Sequence, residues 1–561
     1  MRYIGPARLA LLATAMAVGA FLGSAAPAHG ASFTVNATYD AVDASPGDGV
    51  CADAKGACTL RAAVMETNAL PGADEISLPA GTYVLSIPGA GEDASATGDL
   101  DVTDDLTING AGRDTTVIDG GGLDRVFHAL GSIRLTFLDL TIQNGVAGGS
   151  ANVSACNTGP DPADPAFATG GGVCSEFATL EFAHVELRNN SAGVGGAAIH
   201  SMAKLAVQES IVTGNDGILG AVFNGGTATI ESSMISDNHG AVSGGGIHNQ
   251  SNATLTLDNS TVSGNAALDG GGGILNLGTT SIRATTIANN RAGQSGGGIL
   301  NSAFSVLGLT NSTISGNTAR FGGGIYNSPE PLPPGLSGGS AVGPRARSLG
   351  GLVTGTNVTL AGNSASQQGG GILNPDAAAR SGTVNLENSI VANGPAGRDC
   401  SGVVASGGHN LDSDGSCGLG GPGDISNADP LLGPLADNGG PTQTYALLGG
   451  SPAIDAGDNI GCPATDQRGV VRPQNGDGAD GAICDIGAFE LEGPPPVPCP
   501  GAQPCQTVGP VEMPMPTPAL PIAFPRTGGA SAGQGAPLVA VVAALSALAG
   551  AAALARLRRK R

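Results

Sequence analysis

Between residues 170 and 393 apolar and polar positions alternate in short runs such as Thr227-Ala228-Thr229-Ile230 and Thr254-Leu255-Thr256-Leu257. That is the period of two a strand requires, and no helical period competes with it there. The runs are punctuated by a recurring unit, Gly-Gly-Gly-apolar-x-Asn, at Gly244 to Asn249, Gly271 to Asn276, Gly296 to Asn301, Gly322 to Asn327 and Gly369 to Asn374. Weaker copies centre on Val173, Ile199 and Val222. From Val173 to Ile372 the apolar position recurs at spacings of 26, 23, 25, 27, 25, 26 and 47 residues. The long step reads as one period plus a Pro-Gly insert, Ser328 to Gly355, thrown out of one turn. A second marker runs in phase, from Leu187-Asn190 and Val212-Asn215 to Leu360-Asn363.

Units of this length, with short strands and Gly or Asn at the corners, predict an all-β solenoid in which each coil pairs in parallel with its neighbours ~4.8 Å away. Ile over Ile would fill the interior, and Asn over Asn would form a hydrogen-bonded ladder at the turns, each bond worth ~1 kcal/mol net. A flexible Gly-rich linker would carry no phase-locked isoleucine. By alternation, His200 and His248, which share one repeat position with Leu275, Leu300, Tyr326 and Leu373, are expected on the outside.

Composition fits a thin layered core better than a globule: of 561 residues 94 are Gly and 36 Pro, aromatics are 3% and Trp is absent. Residues 31–524 hold all 46 acidic side chains against 16 basic ones, a balance of −30 that repels phosphate backbones and anionic lipid, so nucleic acid is excluded as a partner. Ten cysteines without a CxxC point to disulfides rather than metal. Connectivity stays open in the sequence; the simplest scheme pairs neighbours, 51 with 58, 156 with 174, 400 with 417, 462 with 484 and 499 with 505.

The ends speak of location. Residues 1–28 have basic Arg2 and Arg8, an apolar run from Leu9 to Leu22 and a small-residue Ala26-Pro27-Ala28 site, the layout of a secretory signal peptide. Leu538 to Ala555 is an uncharged stretch of 18 residues before a basic tail, a membrane helix of ~27 Å whose tail stays in the cytoplasm. Residues 493–525 carry 12 prolines and read as an extended stalk of up to ~100 Å.

Phe524-Pro525-Arg526-Thr527-Gly528, ahead of that helix, resembles the LPxTG signal of sortase substrates, with Phe524 in place of Leu. The resemblance implies a sortase-type transpeptidase as a partner and a cut between Thr527 and Gly528, retention as a plain membrane anchor being the alternative. The repeat markers resemble those of polymorphic outer membrane proteins and of the right-handed parallel β-helix superfamily that includes pectate lyases. Cys58-Thr59-Leu60-Arg61-Ala62-Ala63, with Cys51 upstream, is similar to the CSLREA domain of bacterial surface proteins, departing at Thr59 and Ala62. It reads as a short amphipathic capping helix with Thr59 as N-cap. Asp437-Asn438-Gly439-Gly440-Pro441-Thr442, Thr465-Asp466-Gln467-Arg468-Gly469 and Cys484-Asp485-Ile486-Gly487-Ala488-Phe489-Glu490 resemble the closing region of choice-of-anchor Q proteins, a family implying surface sorting and no known reaction.

The organisation expected is therefore a signal peptide (1–28), an N-terminal cap (31–110), β-helix repeats (111–424), a choice-of-anchor Q-like region (425–492), the stalk (493–525) and the sorting signal with membrane helix and tail (524–561). Candidate chemistry is sparse. Related solenoids act on polysaccharides with carboxylate pairs, so Asp104-Asp105 and the group Asp119, Asp124, Arg125 and His128 are the positions to inspect. Neighbouring aspartates on a strand face opposite ways, so Asp104 and Asp105 would not share a cleft unless the strand bends there, and the second group reads as a turn with a salt bridge. Asp477 and Asp480 offer oxygens for calcium, against a plain Asp-Gly turn, and lack the EF-hand spacing and its distal Glu. The expectation is an envelope-anchored surface protein for adhesion, structure or binding of an extracellular polysaccharide or surface protein, without catalysis and without a cofactor; the alternative is a pectin-lyase-like carbohydrate-active enzyme.

Overall fold

The computed structural model describes residues 30–89, 91–148, 156, 169–330, 350–375, 382–392, 396–478 and 481–493. It is a right-handed parallel β-helix. Each coil of the central repeats visits four sheets in turn, as in Thr179–Ala183 (first sheet), Glu186–Arg188 (second), Ser191–Gly195 (third) and Ile199–Ser201 (fourth). The sheets contain 13, 13, 8 and 11 strands, and among the described residues only one strand pair, Leu432–Ala436 with Thr444–Leu447, is antiparallel.

Like stacks on like, as the spacings predict. Val173 pairs with Ile199, then Val222, Ile247, Ile274, Ile299, Ile325 and Ile372 follow in strict register, all fully buried. Ile325 meets Ile372 directly, so the 47-residue step is a single coil; at the end of the expected insert, Leu352–Thr356 is a stacked strand of the first sheet, and residues 331–349 lie outside the described residues. Stacking extends forward of the recognised repeats, through Phe127 to Leu100 and, in the first sheet, through Leu106–Gly110 to Asp74–Leu78. In these front coils aromatic rings fill the interior, with Phe137 stacked on Phe182 at 5.1 Å.

Two asparagine ladders hold the corners. Asn190, Asn215, Asn238, Asn265, Asn290, Asn317 and Asn363 pass side-chain hydrogen bonds of 2.9–3.1 Å from coil to coil. A second ladder runs from Asn224 through Asn249, Asn276, Asn301 and Asn327 to Asn374. The left-handed backbone of the first corner falls one residue before each ladder asparagine, for example Asn289 (φ 57°) and Gly264 (φ 67°). The first glycine of each Gly-Gly-Gly run is also left-handed; at Gly271 (φ 65°) a Cβ would lie 2.6 Å from the Ile274 carbonyl oxygen.

The front is closed by the helix Leu60–Ala69. Thr59 caps it, accepting from the Ala62 amide at 3.1 Å. Arg61, wholly buried, is held by Asp40 at 2.7 Å and by the carbonyls of Ser95, Gly98 and Asp99. Four disulfides, 51–58, 156–174, 400–417 and 462–484, follow the nearest-neighbour scheme; Cys499 and Cys505 lie outside the described residues.

Residues 429–493 do not add a terminal coil. They fold back along the outer face of the second sheet, where Thr286 bonds the Gln443 carbonyl, Ser315 pairs with the Tyr445 hydroxyl and Thr359 accepts from the Ala488 amide. Ile390 and Leu411 of the second sheet share a small apolar cluster with Leu447, Ala453, Ile486 and Phe489 of this segment.

His200 and His248 are not outside, contrary to the alternation argument: they are 3% and 0% exposed. They do point away from the Ile stack. The Gly-rich links between the third and fourth sheets lie against that outer face, so close that a Cβ at Gly195 would sit 3.2 Å from both Leu219 and Phe223. A second, thinner core results, in which His200, Phe223 and His248 stack flat at 4.7 and 4.9 Å and Leu275 and Leu300 continue the row.

Candidate functional site

The front end of this second core is polar. The outward position of the fourth sheet is Asp101 in one coil, His128 in the next, then Cys174 and His200. Asp101 Oδ1 lies 3.2 Å from His128 Nδ1, and the exposed Asp93 comes within 4.0 Å of the same nitrogen. Arg125 reaches over the row, its Nε 3.0 Å from Asp99 Oδ2; Nη1 and Nη2 find no hydrogen-bond partner among the described residues. Asp99, Asp101, Asp124, Arg125 and His128 are all buried.

Burial dominates the electrostatics here. It raises Asp99 far above the usual carboxylate range, with the Arg125 charge opposing. It raises Asp101 to about 8. It lowers His128 to about 3, helped by the Arg125 charge. At neutral pH Asp101 is thus a neutral acid facing a neutral imidazole, a hydrogen bond rather than an ion pair. Proton transfer at pH 7 calls for a group titrating near 7 and in reach of substrate. Asp101 and His128 titrate on either side of that and are sealed from solvent; Asp93 alone of the set is open.

Of the residues singled out in the sequence, Asp124, Arg125 and His128 are brought together; the salt bridge Arg125 makes is not within that turn but to Asp99 of the adjoining coil. Asp119 is elsewhere, accepting from Gln143 and Asn144 at 2.7 and 2.8 Å. Asp104 and Asp105 sit in a bend rather than on a strand: Asp104 accepts from the Asp105 amide and Asp105 from the Arg134 amide, both at 2.8 Å. Asp99 and Asp101 went unnoticed. The signal was present, since Leu100-Asp101-Val102 repeats the apolar-x-apolar pattern of Phe127-His128-Ala129.

A second acidic group, Asp399, Asp412 and Asp414, lies beside the Cys400–Cys417 bridge with carboxylate oxygens within 4.8 Å of one another. Burial, with the neighbouring Asp399 adding to it, raises Asp412 to about 6. These oxygens are engaged by backbone amides: Ser413 and Asp414 donate to Asp399, and Cys417 to Asp412. The group braces a turn. Asp477 is not part of either acidic group; its amide donates to Asp455 at 2.8 Å, and Asp480 lies outside the described residues. Phe524 to Gly528 and the apolar stretch after them lie outside as well, as do residues 1–29; among the described residues no helix is long and apolar enough to cross a membrane.

The outer face of the first sheet is an open flank, and here side chains stand in straight ranks. Thr227, Thr254 and Thr279 form one rank, and Thr229, Thr256 and Ser281 the next, paired coil to coil. Val306, Leu352 and Thr383 continue the first rank and Gly308, Thr354 and Asn385 the second, in exposed or half-exposed positions. From residue 227 to 385 neither rank contains a charge. The third rank does, with Asp258 and Arg283 paired in it. Ranks are ~6.6 Å apart and coils ~4.8 Å apart, from strand geometry. The second sheet's outer face is covered by residues 429–493 from Thr286 onward and the fourth's by its own Gly-rich links; the third sheet's face is open but carries Asp216, His239 and Arg291, and the first sheet's is the long uncharged one left open.

No family model and no curated protein sequence matches the chain. Among solved structures, the A-module of the mannuronan C-5 epimerase AlgE6 of Azotobacter vinelandii is similar at 14% identity and a TM-score of 0.39, covering 66% of this chain and 92% of that one.

Proposed function

We propose that this chain is a secreted, envelope-anchored surface protein whose β-helix binds an extended extracellular polymer along the outer face of the first sheet, without catalysis of its own. The observation that carries the reading is that the first sheet's outer face stays open, straight and in register over many coils, while the fourth's and the later coils of the second's are covered by the chain itself. A linear polymer meets such a face at many equivalent positions. The resemblances to choice-of-anchor Q and CSLREA proteins, the signal peptide and the LPxTG-like segment support export and tethering. The test is retention of the full chain, purified in detergent, on a panel of immobilised polysaccharides and envelope proteins; retention by none of them overturns the reading.

The enzymatic reading has one observation in its favour, the convergence of Asp93, Asp101 and His128 with Asp93 open to solvent. Incubation with the same polysaccharides, followed by assay for new reducing or unsaturated ends, decides it; product formation lost in Asp101→Asn would replace binding by turnover.

A further inference from the structure

We infer that the polymer taken by the first sheet is uncharged: a hydroxyl-rich neutral polysaccharide lying along the column axis on the two ranks that run from Thr227 to Asn385. This rests on the reading that the first sheet's outer face is the binding face, and adds the chemical class of what binds there.

Charge carries the argument. Residues 31–524 carry 46 acidic against 16 basic side chains, yet the two ranks hold no charge over six consecutive strands. A polyanion such as a polyuronate would lie on a neutral strip within a Debye length, ~8 Å, of a strongly acidic body, and nothing in the ranks would offset the repulsion. A polycation would want carboxylates in the ranks; the two ranks have none, and the third has only Glu231, Asp258 and Glu387, of which Asp258 is engaged by Arg283. What the ranks present is hydroxyl and methyl groups, which exchange hydrogen bonds with hydroxyls and pack against C–H faces with no charge to desolvate.

Shape narrows the occupant further. Six strands at ~4.8 Å give a strip ~24 Å long, and two ranks with their side chains make it ~10 Å wide, roughly 240 Å². A stable pairing with a second copy of this chain would need about 800 Å² per partner, more than three times that area. One extended sugar chain fits the width, and its regular repeat suits hydroxyls that recur at a fixed step. The affinity of a single strip is expected to be low, and display of many columns on one surface supplies avidity.

The experiment compares the full chain with Thr256→Glu, Thr254→Lys and, as a control on the charged third rank, Glu231→Gln, on beads carrying xylan, a neutral β-glucan, polygalacturonate or alginate. Expected are retention on at least one neutral polymer, unchanged from about 0.05 to about 0.5 M salt, over which charge attraction is screened away, none on the acidic polymers, and at least a tenfold loss in both Thr variants with Glu231→Gln unaffected. Both substituted positions are on the surface, and an unchanged melting temperature certifies the fold. Equal or salt-sensitive retention on the acidic polymers overturns the inference and leaves polymer binding standing. Neutral-polymer retention that survives both Thr variants overturns the placement on these ranks. Retention on no polymer overturns the function itself.

Discussion

The hydroxyl of Thr313, on the outer face of the second sheet, donates to the side-chain carbonyl of Gln467 at 2.7 Å, across 154 residues of sequence. The amide of the same side chain donates to Thr286, one coil earlier, at 3.0 Å and to Thr442 at 2.9 Å. One buried glutamine thus ties two coils to the segment that covers them.

Gln467→Ala removes these bonds and leaves the Thr313 hydroxyl without its acceptor, at a cost of about 2–3 kcal/mol by the usual penalty for stranded polar groups. The expected result is faster hydrogen exchange and proteolysis within residues 429–493, with the main melting transition of the β-helix shifted much less. Equal loosening of the coils around Ile247 would show that the two parts unfold as one.

Ile299 stands between Ile274 and Ile325 in the dry interior. Ile299→Asp places a carboxylate there without a partner, a penalty of several kcal/mol. Loss of the cooperative thermal transition by circular dichroism is expected, and an unchanged transition would refute the layered core.

Asn265 accepts from the backbone amide and the side chain of Asn238 and donates to Asn290 and to the Ile235 carbonyl, all at 2.9–3.0 Å. Asn265→Ala strands donors on one side and acceptors on the other. A loss of about 2–4 kcal/mol is expected from urea midpoints, well above the fraction of a kcal/mol expected for Thr254→Ala on the open face.

The buried histidines give the stability a pH dependence of known sign. Burial lowers His200 to about 3 and His248 to about 4. The unfolded chain takes up these protons near the ordinary value of 6.5, so stability is full above that pH and falls as pH drops toward 4. Asp101, raised to about 8, acts oppositely: its contribution is full below pH 3.8 and is lost as pH rises through 8. Maximum stability is therefore expected in mildly acidic solution. His200→Phe, which extends the Phe223 stack, is expected to remove about 1–3 kcal/mol of the loss between pH 6 and pH 4; an unaltered acid limb would place that proton uptake elsewhere.

How much of this was legible follows from what each feature depends on. The Ile stack, both ladders, the Thr59 cap and the single coil behind the 47-residue step are local patterns repeated with a period, and the parallel register converts a period directly into contacts. Periodicity is blind to what folds over an exterior. His200 obeys the alternation rule and is still buried, because glycine links pack on it; Asp99 meets Arg125 because two coils adjoin, which a turn-level reading of Gly120 to His128 does not include. The flank covered by residues 429–493 depends on contacts more than 100 residues apart, such as Thr359 with Ala488, and no spacing rule reaches those.

The fold-back of residues 429–493 also sets where a pull on the segment after Gly493 would enter the body. The described chain leaves at Gly493, beside Asn475 on the side of the column, and not at the last stacked strand, Ile425–Ser426. A pull transmitted through Gly493 therefore bears sideways on the Arg472–Glu490 pair and on bonds to several coils before it can peel the terminal one. The column is gripped along its flank like a blade in a handle, so under the proposed tethering and polymer binding, drag would spread over many weak attachments instead of unzipping one edge.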